Sequence, residues 1–289
     1  MVNKISGYKG LILLCLMSLL LNYLILYPLG LGQYDGPEHP YLFGIINLAA
    51  GLLELGLITL YLRRVERMPV RLVGLGWNRK HLIYSVTAVV MTLVLHLVYL
   101  KSLDEGGVLK AYFNVHYFEN AQLVPMLLCT GAGWFVNAFY EELLRGYFAI
   151  KLKSLGPLPM FLITGLTAIL MHAINGLDWI YAILIFIMNS TFLYVYLKSG
   201  SIYPAVAAHF IYNFTLGHLF GSGAVAFLIV EGELPLWYTL TPIALYVILI
   251  LVTAKLIYGD ASITHCLGNL GRGDVGSAHA QSSRRSKVM

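Results

Sequence analysis

Two adjacent carboxylates, Glu141 and Glu142, stand in the stretch WFVNAFYEELLRGYF, and apolar stretches downstream carry His172 in AILMHAIN and His209 with Asn213 in AAHFIYN. An ionisable group in a hydrocarbon-compatible segment costs about 2.5–3.5 kcal/mol on insertion scales, so five polar groups of this kind over some seventy residues predict a buried reaction centre. His209 and Asn213 are four apart, which puts a neutral amide beside an imidazole on one helical face. That pairing suits holding a carbonyl oxygen as it gains negative charge, at roughly 3–4 kcal/mol per well-placed donor. His172 could do the same or orient a water.

On a helix, Glu141 lies four residues and Glu142 three residues before Arg145, so either carboxylate can meet the guanidinium. Adjacent side chains point about 100° apart, so one glutamate could face a cavity while the other holds the arginine. Counted from the basic or turn residues that bound their helices, all these groups lie roughly 12–22 Å in at the helical rise. They could therefore meet in the inner half to the middle of a membrane.

The elements that must carry them are apolar helices. The 289 residues are 58% hydrophobic and 11% charged, against roughly 25% charged in an ordinary soluble domain. Apolar runs long enough to cross about 30 Å of hydrocarbon occur near 10–31, 41–62, 81–100, 121–142, 158–176, 179–197, 201–219 and 236–257. The fold class predicted is all-α, a polytopic membrane helical bundle of about eight transmembrane helices, with residues 1–258 as one membrane domain. Gly, Ser and charge dominate from Gly259, which predicts a disordered tail over 259–289.

Lys and Arg resist translocation, and they gather at Lys4 and Lys9, at Arg63 to Lys80, at Lys151 and Lys153, at Lys198 and in the tail. That pattern places both termini in the cytoplasm. It also accounts for the net charge of +5 through topology and anionic lipid, with no nucleic-acid partner required. The loop 63–80 is expected along the headgroups as a short amphipathic piece. Loop 101–120 is expected to carry a short exposed helix with Tyr112, Phe113, Tyr117 and Phe118 at the interface, and 220–235 to be a re-entrant or interfacial connector. Cys15, Cys129 and Cys266 are too far apart to suggest a disulfide framework or a CxxC metal site.

The segments EELLRG, AILMHA and GSIYPAVAAHFIYN, within about residues 120–220, resemble the three motifs of the CPBP family, intramembrane CAAX-processing and bacteriocin-processing proteases that include the Rce1-type prenyl-protein peptidases. The resemblance implies a glutamate-activated water attacking a peptide carbonyl, with His172, His209 and Asn213 positioning water and holding the oxyanion. It implies a membrane-associated protein or peptide as substrate, prenylated or not. The family pattern has three residues between its Glu pair and Arg, whereas only Leu143 and Leu144 intervene here; aligned on Arg145, Tyr140 takes the place of the first glutamate. Ala168 stands where the second motif usually carries Phe. Glu141 or Glu142 is then the base, with Arg145 and Tyr140 in support.

No cofactor is expected on this reading. The alternative is zinc held by one of the glutamates with His172 and His209, since two histidines and a glutamate with an open fourth position form a known catalytic set, although no HExxH spacing occurs. The competing function is a catalytically inactive scaffold or bacteriocin-immunity protein of the same fold, and a proton-relaying transporter ranks third. Glu54 and His96 are further ionisable groups inside apolar runs, Glu54 being expected to pack or snorkel, and His218 is expected at the interface.

Overall fold

The computed structural model describes residues 4–21, 23, 40–114, 123–173, 178–221, 226–231, 236–259, 263, 266, 267 and 270. Among these residues eight α-helices follow in chain order: α1 Lys4–Leu21, α2 Pro40–Arg64, α3 Arg79–Glu105, α4 Leu123–Leu152, α5 Pro157–His172, α6 Trp179–Ser199, α7 Ile202–Phe214 and α8 Leu236–Tyr258. Each overlaps one expected apolar run. Their starts are written locally. Asn78 accepts a hydrogen bond from the His81 amide at 3.0 Å and Asp178 from the Tyr181 amide at 2.7 Å, while α5 opens on Pro157, whose missing N–H costs nothing in a first turn.

Five of the eight are long and apolar enough to cross a membrane: Gly44–Arg64 of α2, α3, α4, α6 and Leu240–Tyr258 of α8. The chain is thus an integral membrane protein built as a helical bundle. The other three are shorter. With 16 residues, α5 spans only about 24 Å, and α7, with 13, continues as a π-helical turn over Thr215–Leu219.

Small residues line the contact between α2 and α4. A Cβ built on Gly133 would lie 3.0 Å from the Gly44 carbonyl oxygen, and one on Gly44 would lie 2.9 Å from Cys129 Sγ, so these two backbones approach as near as glycine permits. Helix α7 sits inward, against α3, α4 and α6, while α6 also packs on α5 and α8. Large buried aromatics, Tyr84, Tyr147, Phe192, Tyr196 and Tyr246, fill the space among these helices. Two of these hydroxyls find backbone acceptors, Tyr246 at the Ala208 carbonyl, 2.7 Å away, and Tyr84 at the Ile250 carbonyl, 3.4 Å away.

The segment expected to hold a short exposed helix holds a strand instead. Lys110–Phe113 forms β1, which pairs antiparallel with β3 (Leu228–Glu231), and β3 also pairs in parallel with the two-residue β2 (Phe220–Gly221), giving the order β1-β3-β2. The described residues of the stretch 220–235 thus include two short strands, β2 and β3. The alternation of Tyr112, Phe113 and their neighbours supports a strand as well as a helix in so short a run, and pairing to a partner 115 or more residues away decides it. Tyr112 and Phe113 are exposed; Tyr117 and Phe118 lie outside the described residues, as does the side chain of His218.

The loop between α2 and α3 is packed on the bundle. Its 3-10 turn Val70–Val73 buries Val73 completely, the Gly74 carbonyl accepts from the Ile202 amide at 2.9 Å, and the Gly76 carbonyl accepts from Ser201 Oγ at 2.7 Å. The loop is thereby stitched to the α6–α7 junction. Of the expected tail, Leu267 and Leu270 are described and are buried against the main core, with Lys153 Nζ donating to the Leu270 carbonyl at 3.0 Å; residues 271–289 lie outside the described set. Cys15, Cys129 and Cys266 are free and partly buried.

Candidate active site

Helices α4 and α7 bring the expected groups together. His209 Nδ1 lies 2.8 Å from Glu142 Oε1, and the same carboxylate oxygen forms an ion pair with Arg145 one turn further along α4. All three are buried, with Glu142 1% and His209 and Arg145 each 6% exposed. A buried charge is tolerable only when paired and hydrogen-bonded, and this carboxylate meets both conditions through Oε1. Its second oxygen, Oε2, is buried without a hydrogen-bond partner among the described residues.

The contact of Glu142 with Nδ1 turns the opposite ring nitrogen of His209 towards Glu141. Nε2 stands 3.8 Å from Glu141 Oε2, beyond direct hydrogen-bonding distance, and the Glu141 side chain keeps 15% of its surface accessible. The two glutamates therefore divide as their 100° separation allows: Glu142 inward on Arg145 and His209, Glu141 on a more open face beside Nε2. Tyr140, which precedes the pair on α4, is partly buried.

Three residues on this cluster were not legible as site residues. Asn189 of α6 accepts from Arg145 Nε at 2.9 Å and donates from Nδ2 to Thr164 Oγ1 of α5 at 3.3 Å, while Thr164 donates to the Met160 carbonyl at 2.9 Å. Phe192 stacks on the His209 ring at 4.5 Å and 17°, with the Arg145 guanidinium carbon 5.6 Å from the same ring centre. An amide inside an apolar run is itself a signal, since polar groups bind transmembrane helices together, so Asn189 could have been flagged. Nothing in the sequence distinguishes Phe192 from the other aromatics.

The remaining candidates lie apart from the hydrogen-bonded cluster. His172, the last residue of α5, is partly buried and its Nδ1 is 2.9 Å from the Ala168 carbonyl; Asn213, in the last turn of α7, is also partly buried. Among the described residues neither is hydrogen-bonded to Glu141, Glu142 or His209. Among those residues too, no group of three His, Cys, Asp or Glu side chains is placed to share a metal ion. Glu54 is 1% exposed and accepts from Ser18 Oγ of α1 at 2.8 Å, so it packs between helices and does not snorkel. His96 is buried with Nδ1 2.8 Å from the Thr92 carbonyl, one turn back on α3.

No curated protein and no solved structure matches the chain. A family model does match, the Type II CAAX prenyl endopeptidase Rce1-like family, over residues 120–215, about a third of the chain. The matched segment runs from the start of α4 to the end of α7 and includes every residue of the Glu142–His209 cluster and its Asn189 support. Over residues 120–215 the chain is thus similar to the Type II CAAX prenyl endopeptidases, Rce1-like, in agreement with the CPBP resemblance that its three motifs carry.

Proposed function

We propose that this protein is an intramembrane endopeptidase that hydrolyses a peptide bond near the C-terminus, or in a membrane-proximal segment, of a membrane-associated substrate. The observation that carries the reading is the two-sided engagement of His209: Nδ1 at 2.8 Å from Glu142, Nε2 at 3.8 Å from Glu141. With Nδ1–H donated to Glu142, Nε2 and Glu141 Oε2 are two acceptors that face each other across a gap one water molecule bridges by donating to both. A water so held presents its lone pair outward. Its oxygen bonds to the scissile carbonyl carbon while Glu141 takes one of its protons; the C–N bond then breaks, and Glu141 returns that proton to the leaving amine nitrogen.

Glu141 is the base on this reading because it is the less buried carboxylate and has no ion pair with Arg145. Glu142 is a positioning residue: it orients the imidazole, and Arg145 keeps its charge compensated. Asn213 lies one turn from His209 on α7, so its side-chain amide supplies a donor for the oxyanion, while His172, whose Nδ1–H is given to the Ala168 carbonyl, keeps Nε2 as an acceptor that orients a water. Similarity to the Rce1-like family makes a prenylated C-terminal peptide the first substrate to test.

The test is cleavage of such a peptide by purified protein, followed by the mass of the released fragment, with a strong chelator in parallel reactions. Glu141→Gln is expected to lower kcat by at least about 100-fold, the lower range for loss of a general base, with KM little changed, and chelation to leave the rate intact. Full activity of Glu141→Gln moves the base to Glu142. No cleavage by the wild-type protein of any C-terminal or membrane-proximal peptide supports the inactive scaffold.

A further inference from the structure

A second site lies on the outer wall of the bundle, away from the glutamates. Helix α6 forms the floor of a groove of about 500 Å³ whose walls are α5 and α8, a volume within the range of about 300–1,000 Å³ typical of ligand clefts. Phe161, Phe186, Leu251 and Val252 make its body apolar. Its character changes along α6. Ser190 Oγ is buried in the wall with no hydrogen-bond partner among the described residues; Tyr194 follows one turn on, and Lys255 stands on the rim.

A second cation serves the same end. Lys198 Nζ lies 5.7 Å from the centre of the Tyr194 ring and donates to the Gly259 carbonyl at 3.2 Å. The N-terminal end of α5 and the C-terminal ends of α6 and α8 meet here, the side that the distribution of Lys and Arg predicts to be cytoplasmic. From Ser190 to Lys198 the rise along α6 is about 12 Å. Along α6 the apolar Phe186, the buried Ser190 hydroxyl, the Tyr194 ring and Lys198 thus follow one another a turn apart towards that end.

We propose that this groove binds one anionic phospholipid, with an acyl chain along Phe161, Phe186, Leu251 and Val252, an ester carbonyl accepting from Ser190 Oγ, and the phosphate on Lys255 and Lys198. Basic pockets between transmembrane helices on the cytoplasmic side hold anionic headgroups in this way, and the charges select the headgroup while the apolar body accepts any chain. The lipid binds beside α5 and α6, which contribute Thr164 and Asn189 to the Arg145 support.

The site is tested by native mass spectrometry of the full chain released from detergent after incubation with equal amounts of phosphatidylglycerol and phosphatidylcholine bearing identical acyl chains. The wild-type protein retains phosphatidylglycerol in preference, by about fivefold per contributing lysine. Lys255→Gln with Lys198→Gln brings the two lipids to equal retention, and Val252→Trp, at an exposed wall position, reduces retention of both. Raising salt on the wild-type protein erodes the preference without any substitution, which covers a charge variant that fails to fold. Headgroup preference that survives both the double lysine variant and high salt overturns the proposal. So does retention of S-farnesyl-cysteine methyl ester in place of phosphatidylglycerol, which would make the groove a prenyl-chain site.

Discussion

Replacing Asn189 by Leu removes the amide that Arg145 leans on while roughly conserving volume. In the wild-type protein Arg145 Nε donates to Asn189 Oδ1 at 2.9 Å, and Asn189 is anchored in turn on Thr164. A hydrogen bond to a charged group contributes about 1.5–3 kcal/mol, and a buried donor left without an acceptor carries a desolvation cost of similar size. Arg145 is 6% exposed, so water cannot simply take the place of the amide. The guanidinium regains a partner only by moving, and its other partner is Glu142, which orients His209. If about 2 kcal/mol of that loss reaches the transition state, kcat/KM for a prenylated C-terminal peptide falls about 30-fold. The assay pairs kcat/KM with thermal unfolding in the same detergent, because a purely structural role lowers the melting temperature but leaves the activity of the folded fraction unchanged. Within twofold of wild-type activity at full folding, the chain Asn189–Arg145–Glu142–His209 is not what positions the imidazole.

Gly146→Ala places a Cβ 2.8 Å from the Val73 carbonyl oxygen, a backbone atom fixed in the 3-10 turn, and is expected to destabilise by about 1–3 kcal/mol, read as a lower melting temperature. Gly56→Ala, in α2 with nothing within 4 Å of the new Cβ, is expected to be neutral or to stabilise by up to about 1 kcal/mol; equal losses in both variants would refute docking of the α2–α3 loop. Glu66, in the same loop, is pushed up by burial, but its bonds from Lys151, Tyr147 and Tyr61 outweigh burial and hold its carboxyl below the ordinary 4.5. Its folded-state value being depressed, the stabilisation is complete above 4.5 and is lost as pH falls through the lower folded value, so the gap in melting temperature between wild type and Glu66→Gln is widest near neutral pH and closes on acidification; a gap that widens in acid contradicts the assignment.

Hydropathy was enough for the bundle. A run of about twenty apolar residues has few options in a bilayer, because each backbone polar group must be satisfied within its own helix, and all eight helices fall on the runs read from the chain. Spacing within one helix was similarly sufficient to predict that a glutamate would pair with Arg145, since residues three and four apart share a face whatever surrounds them. Choosing between Glu141 and Glu142 was beyond it. The two are neighbours on one helix, and what separates them is His209, brought from 67 residues away by the packing of α7 on α4.

The same distance dependence hid the rest. Asn189 acquires its role only when α6 lays it beside Arg145, and Phe192 only when its ring falls under His209. The strand Lys110–Phe113 exists because Leu228–Glu231 is there to pair with it, and four residues of either are too few for periodicity to separate strand from helix. The sequence by itself determined where the apolar helices form and which residues could carry charge into the membrane, because those depend on local composition and on backbone hydrogen bonding. Only the tertiary structure decided which of those charges face one another, because burial, pairing and the orientation of an imidazole are set by side chains that the chain brings together from far apart.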